Sequence, residues 1–254
     1  MRITLLQIDT AWHDAPTNQL KAARLMDTER DAQLYLLPEM WATGFDTSPD
    51  EALADMSACA LEWMRKEAAD RRCAVAGTLP VRNQTDAAAH RTALWRNRFI
   101  VALPEGNTLY YDKRHLFACG GEHRAYSPGQ EAACFELEGA RFMLQTCFDL
   151  RFPETARNYC AHPYDVLLYA ANWPASRRSA WDALLPARAV ENQCFCLGVN
   201  RTGSDPECLY DGGSAAFDAY GHCLCRLDAR EQAVTVSLDI EELRRYRKKF
   251  PVLP

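Results

Sequence analysis

Phe142-Met143-Leu144-Gln145-Thr146-Cys147-Phe148 is an apolar run of strand length, and it opens a stretch in which short apolar runs alternate with longer amphipathic ones. Residues 142–148 read as a strand, 153–160 as a short helix, 166–171 as a strand, 177–192 as a helix and 195–200 as a strand. The pattern continues on the N-terminal side. Residues 3–8 form a strand and 18–31 a helix whose apolar stripe carries Leu20, Ala23 and Met26. Leu34-Tyr35-Leu36-Leu37 is apolar without interruption and is closed by Pro38-Glu39, as expected of a strand buried on both faces. Ser48-Pro49-Asp50-Glu51 reads as a helix start, with Ser48 as N-cap and Pro49 in the first turn, for a helix running to about residue 71. Strands at 73–79, 93–103 and 109–112 follow, the last two joined by the turn Pro104-Glu105-Gly106-Asn107. Residues 117–130 read as an irregular loop. Strands at 214–219, 223–227 and 234–238 precede a final basic helix over 241–249. No linker or fixed-period repeat divides the chain, so residues 1–254 are read as one α/β domain of two sheets with helices on their outer faces.

Composition narrows the function classes. The chain has 254 residues, 48% of them hydrophobic, and a net charge of −5. These are globular proportions, and the acidic balance argues against nucleic-acid binding. No apolar run approaches the roughly 18 residues a membrane span needs. The opening Met1-Arg2-Ile3-Thr4-Leu5-Leu6-Gln7-Ile8-Asp9 turns polar too soon for a secretory signal, so a cytoplasmic protein is expected. Eleven cysteines are about 4% of the chain, below the roughly 8–10% of a disulfide scaffold, and reduced thiols are the default. The pairs Cys194/Cys196 and Cys223/Cys225 read as filler on strand faces. The histidines lack zinc-ligand spacing, and no metal or other cofactor is expected.

Four residues beside strand ends or in loops carry chemistry. Glu39 follows a buried strand, Lys113 closes Tyr110-Tyr111-Asp112, Cys147 ends an apolar strand, and Glu122 lies in a glycine-rich loop. Each alone has an ordinary explanation: a solvated loop carboxylate, a surface lysine, a core thiol. Together they make a working set. A thiolate is a strong nucleophile whose pKa a neighbouring ammonium lowers. A carboxylate in reach can take the thiol proton and return it to a leaving amine. The ammonium, with the backbone N–H of Phe148, can stabilise an oxyanion.

Leu36-Leu37-Pro38-Glu39, Tyr111-Asp112-Lys113-Arg114-His115-Leu116-Phe117 and Cys147-Phe148-Asp149-Leu150-Arg151-Phe152-Pro153-Glu154 resemble, in order, the three signatures of the nitrilase (carbon–nitrogen hydrolase) superfamily. Ser127-Pro128-Gly129, Ala171-Asn172-Trp173-Pro174 and Arg188-Ala189-Val190-Glu191-Asn192 extend the match over nearly the whole chain. The likeness is greatest to bacterial omega-amidases, which act on 2-oxoglutaramate and related monoamides of dicarboxylic acids. The resemblance implies a four-layer αββα sandwich, two mixed β-sheets packed face to face with helices outside, and a homodimer. It also implies Glu39 as general base, Lys113 as oxyanion-stabilising cation, Cys147 as nucleophile and Glu122 as a second glutamate that orients Lys113 or substrate. Phe148-Asp149 after the cysteine points away from nitriles. Asp149 is expected to fold back onto backbone or Arg151.

Arg151 is the candidate clamp for a substrate carboxylate, since a guanidinium holds one bidentately. An internal pair with Asp149 or Glu154 is its equal alternative. Phe45 and Trp173 are candidate pocket walls, or else core. Arg188/Glu191 reads as structural, and Glu241/Arg245 as a surface pair on a solvated or dimer-contact helix. The expected partner is a small amide. Two rival readings are hydrolysis of a carbamoyl amide by the same chemistry, and a silent relative that binds a ligand in the same pocket.

Overall fold

The computed structural model describes residues 1–83 and 95–254. Among these, the first sheet contains β1 (Arg2–Gln7), β2 (Leu34–Leu36), β3 (Ala74–Arg82), β4 (Trp95–Ala102), β5 (Thr108–Asp112) and, from the far end of the chain, β14 (Gln232–Ser237), in the order β14-β1-β2-β3-β4-β5. The second contains β6 (Cys134–Leu137), β7 (Ala140–Thr146), β8 (Val166–Ala171), β9 (Phe195–Asn200), β12 (Ala215–Phe217) and β13 (Cys223–Arg226), in the order β6-β7-β8-β9-β12-β13. Along these orders both sheets show the same succession of pairings: antiparallel, parallel, parallel, antiparallel, antiparallel. The chain thus builds one sheet plan twice, although no sequence repeat announces it. A short hairpin of β10 (Thr202–Ser204) and β11 (Leu209–Asp211) stands apart.

Strand periodicity sorts the apolar residues into layers. Ile3, Leu5, Leu34, Leu36, Phe99 and Val101 of the first sheet meet Phe142, Leu144, Val166, Leu168, Leu197 and Val199 of the second in one buried core. The alternate residues point outward. Leu6, Tyr35 and Val75 pack against α1 (Ala15–Thr28) and α2 (Glu51–Arg71). Leu167, Tyr169 and Cys196 pack against α3 (Arg178–Glu191). The result is the αββα sandwich, and the uninterrupted apolar run of β2 is explained by burial on both faces.

Several local expectations are corrected. The first helix starts at Ala15, capped by Asp14 through Thr17 N, and ends at Thr28; Leu20 is 61% exposed, and the buried face is Ala15, Asn18, Ala22 and Met26. Asp50, not Ser48, caps α2 by accepting from Leu53 N at 3.0 Å, so Pro49 lies outside the helix. The strand ends at Thr146 and residues 147–151 form a 3₁₀ turn, while the helix expected over 153–160 is a 3₁₀ turn limited to Pro153–Ala156. The start of the strand expected at 93 lies outside the described residues. The strand expected over 214–219 is only Ala215–Phe217.

Of the cysteines, Cys194 precedes β9 but is core with Cys196. Cys223, on an edge strand, is exposed rather than filler. The basic helix α4 (Ile240–Lys249) is tied into its own chain: Arg244 and Arg247 both pair with buried Asp165, and Leu243 enters the inter-sheet core. Arg245 pairs with Glu242, and Glu241 with Arg244, one residue off the expected pairing. Among the described residues no helix is long and apolar enough to cross a membrane.

Candidate active site

The C-terminal ends of the parallel strands of both sheets converge at one end of the sandwich, where open α/β sheets characteristically place ligands. Glu39 follows β2, Cys147 follows β7 and Asn172 follows β8. Lys113 follows β5, and Asn97 stands near the start of the antiparallel β4. Glu39 and Asn172 succeed equivalent strands of the two sheets and touch: Asn172 N donates to Glu39 Oε2 at 2.9 Å, and Asn172 Nδ2 donates to the Glu39 carbonyl at 2.8 Å. This cross-brace fixes the carboxylate from both sheets at once.

Two further charged side chains, Lys113 and Glu122, are buried beside it. Lys113 Nζ donates to Glu39 Oε1 at 2.8 Å and to Glu122 Oε2 and Oε1 at 2.9 and 3.1 Å. Asn97 Nδ2 bridges the two carboxylates, 2.7 Å from Glu39 Oε1 and 2.9 Å from Glu122 Oε1. Phe117 N donates to Glu122 Oε2 at 2.5 Å, which ties the glycine-rich loop to the cluster. Burial acts to lower the Lys113 pKa, but Glu122 and Glu39 outweigh it, so the ammonium is held above its ordinary range. Glu122 is shifted upward by burial, with Lys113 opposing and Glu39 adding to the shift. Glu122 stands behind Lys113 and does not line the cavity.

Cys147 faces this cluster from the second sheet. Its backbone has φ +43°, a left-handed conformation at the strand-to-turn corner that non-glycine residues rarely adopt and that is commonly kept where function requires it. Asp149 holds the corner. Its Oδ2 accepts from Thr146 N at 3.0 Å and Tyr111 Oη at 2.7 Å, and its Oδ1 accepts from His115 N at 2.9 Å and lies 3.0 Å from His115 Nδ1. Asp149 therefore folds back to backbone as expected, and it staples the Cys147 turn to the segment after Lys113. Arg151 is not its partner. The Cys147 Sγ lies 3.8 Å from the Asn172 carbonyl, with the Glu39 carboxylate close enough to raise the thiol's pKa.

Contrary to the expectation of a lysine-activated thiolate, burial pushes the Cys147 pKa well above its ordinary value. Glu39 adds to the rise and Lys113 only partly offsets it. The resting group is a thiol with a proton acceptor beside it.

A model of the carbon–nitrogen hydrolase family matches residues 2–248. The chain belongs to that family. It is 37% identical to the omega-amidase YafV of Yersinia enterocolitica, over 99% of this chain and 94% of that protein. It is 35% identical to a 2-oxoglutaramate amidase of Bacillus subtilis, over 98% and 95% of the two chains. Its fold superposes with a TM-score of 0.90 on a carbon–nitrogen hydrolase superfamily protein of Xanthomonas campestris, crystallised with an arsenic adduct in its active site, at 37% identity over 99% of this chain and 95% of that one.

In this hydrolase the reactive cluster opens into a cavity of about 170 Å³. An apolar cavity of about 150 Å³ is large enough for benzene, so the space accommodates a small organic group. Glu39, Lys113, Cys147, Phe45, Phe148, Arg151 and Trp173 all line it. Phe45 presents its ring 5.4 Å from Lys113 Nζ. Trp173 is locked by its N–H to Asn200 Oδ1 and its Nε1 to the Arg177 carbonyl, both 2.7 Å. Arg151 lies exposed over the Trp173 ring, 5.2 Å from its centroid, with no ion pair to Asp149, Glu154 or any other described residue. Arg188 pairs with Glu191 and donates to the Leu150 carbonyl, a structural role as expected.

Sequence reading missed Asn97, which sits between Arg96 and Arg98 at the polar start of β4 and carries no signal that sets it apart. It also missed Arg177 and the 205–208 loop between β10 and β11, which bring Asp205, Pro206, Glu207 and Cys208 to the cavity rim. Among the described residues no group of three His, Cys, Asp or Glu side chains is placed to bind a metal ion.

Proposed function

We propose that this hydrolase is a thiol amidase cleaving the C–N bond of a small carboxylate-bearing amide, such as 2-oxoglutaramate or succinamate, to the acid and ammonia. The observation that carries the reading is the buried Glu39–Lys113 pair, 2.8 Å apart, facing the Cys147 thiol at the floor of a small cavity. The relatives named omega-amidase and 2-oxoglutaramate amidase supply the substrate class.

In this mechanism Sγ attacks the amide carbonyl while Glu39 takes the thiol proton, so no free thiolate accumulates. The developing oxyanion meets the Lys113 ammonium and the Phe148 N–H. Preorganised donors of this kind act strongly because they need no reorganisation as charge develops. Glu39 returns the proton to the departing nitrogen, ammonia leaves, and a Cys147 thioester remains. Glu39 then accepts a proton from water as the water attacks the thioester, and on collapse it passes that proton to the departing sulfur, which frees the acid and restores both the thiol and the Glu39 carboxylate. While Glu39 carries the proton, Glu122 remains as the carboxylate on Lys113 and keeps it charged, which makes Glu122 a positioning residue. Arg151 receives the distal carboxylate.

Cys147→Ala tests the assignment. Ammonia release from succinamate is expected to vanish while the circular dichroism spectrum stays unchanged. Full activity in that variant would refute the reading.

A further inference from the structure

The arginines around the cavity divide into two groups. Arg178 is consumed by Asp182 and Asp211, and Arg188 by Glu191 and the Leu150 carbonyl. Buried Arg201 donates to the carbonyls of Thr10 and Ser204. Arg151 and Arg177 instead line the cavity with no ion pair to any described residue. Each is laid against an aromatic ring: Arg151 over Trp173 at 5.2 Å, and Arg177 over Phe117 at 4.7 Å. Stacking positions a guanidinium while leaving its edge donors free for a planar anion.

The two supports are themselves fixed. Trp173 Nε1 donates to the Arg177 carbonyl, and Phe117 packs edge-on against Phe148 with ring centroids 5.2 Å apart. Both cations therefore border the turn that carries Cys147. Cys147 and Arg151 stand at the two ends of one short turn and both line the cavity, which suits an amide and a carboxylate at opposite ends of one short carbon chain. Lys113 cannot serve as the second cation, since Glu39 and Glu122 already neutralise it. Asp205 is turned away from this role: its Oδ2 lies 3.9 Å from buried Arg201 and accepts from Tyr210 Oη, and its Oδ1 accepts from Cys208 N and Glu207 N. Glu207, on the same rim, is exposed and is the one carboxylate of that loop left for competition in solution.

We propose that Arg177 is a specificity-determining residue, the second guanidinium that with Arg151 holds the carboxylate end of an ω-monoamide. This rests on the amidase reading above and extends it, because it separates recognition of the distal anion from the chemistry at Cys147. Two cations on one rim favour a substrate whose acid end carries a further oxygen, as in a 2-oxo acid, over a neutral aliphatic amide.

The test compares succinamate with butyramide in wild type, Arg177→Ala and Arg177→Lys, with Glu207→Gln as a control. Losing a charge-assisted contact is expected to raise KM for succinamate in Arg177→Ala about tenfold or more. In the same variant kcat, and kcat/KM for butyramide, should stay within about threefold. Arg177→Lys should fall between, and Glu207→Gln should leave the preference for succinamate intact or sharpen it. Binding of succinate to Cys147→Ala, measured by calorimetry, should weaken by a similar factor when Arg177→Ala is added. Wild type that hydrolyses succinamate, with Arg177→Ala unchanged or equally impaired on both amides, overturns this proposal alone. Wild type that hydrolyses butyramide but not succinamate overturns the carboxylate reading along with it. If neither amide is hydrolysed, the amidase reading fails, and succinate binding that ignores Arg177 then overturns the clamp as well.

Discussion

The Cys147 thiol is held above its ordinary pKa, so the proposed mechanism gives its deprotonation to Glu39 rather than to a standing thiolate. Burial and Glu39 push the thiol up, and Lys113 only partly offsets them. A pH series of alkylation, read on the Cys147 peptide by mass spectrometry, should therefore show thiolate reactivity rising only above the ordinary cysteine value of about 8.5. An inflection below neutrality would mean an ion pair with Lys113 controls the group instead. Asn97 makes a second prediction at this scale. Its single amide nitrogen serves both Glu39 and Glu122. Asn97→Leu keeps the volume and removes both donations. Each hydrogen bond to a charged group contributes roughly 1.5–3 kcal/mol, so kcat should fall by at least about tenfold; an unchanged kcat would leave Asn97 without a part in the site. Glu39, Lys113 and Cys147 were legible in the sequence because each stands at a strand end inside a recognisable signature. Asn97 was not, because its meaning comes from two carboxylates that lie 58 and 25 positions away in the chain. The direction of the Cys147 shift was equally hidden, since it depends on burial that spacing does not report.

Among the elements, the turn over Cys147–Arg151 carries the most consequence. Its left-handed first residue is held by Asp149, whose carboxylate gathers backbone N–H groups of Thr146 and His115 and the hydroxyl of Tyr111. Asp149→Ala leaves those donors buried or half-buried without their acceptor, and an unsatisfied buried group costs about 1–3 kcal/mol. Urea unfolding should show a loss of at least about 2 kcal/mol, with kcat reduced as well because the turn carries Cys147, the proposed nucleophile. Wild-type stability in Asp149→Ala would show that packing alone shapes the corner. The expected strand over 142–148 overran this corner because Cys147 and Phe148 are as apolar as the residues before them; only the φ of Cys147 reveals the break. Helix starts misled for a related reason. Ser48-Pro49 and Asp50 are both acceptable openings, and the choice falls to Asp50 because its carboxylate reaches Leu53 N.

At the scale of the molecule, one sheet plan is used twice, and the site forms where the two copies' parallel strands end together. That placement explains why residues so far apart in sequence converge, and why Asn172 answers Glu39 across the interface between sheets. The two-layer core was legible from alternating and uninterrupted apolar runs. The matching strand order was not, because pairing partners such as β1 and β14 lie at opposite ends of the chain. The homodimer implied by the family resemblance is tested by light scattering, where a mass about twice that of the 28.7 kDa chain is expected and a lone monomer would remove that expectation.

Hydroxylamine partitioning during turnover of succinamate tests the acyl-cysteine route most directly. Hydroxylamine competes with water for a thioester, so a hydroxamate product is expected alongside ammonia, with an acyl group on the Cys147 peptide after rapid acid quench, and neither in Cys147→Ala. Ammonia released with no hydroxamate and an unmodified Cys147 peptide at every quench time would contradict it.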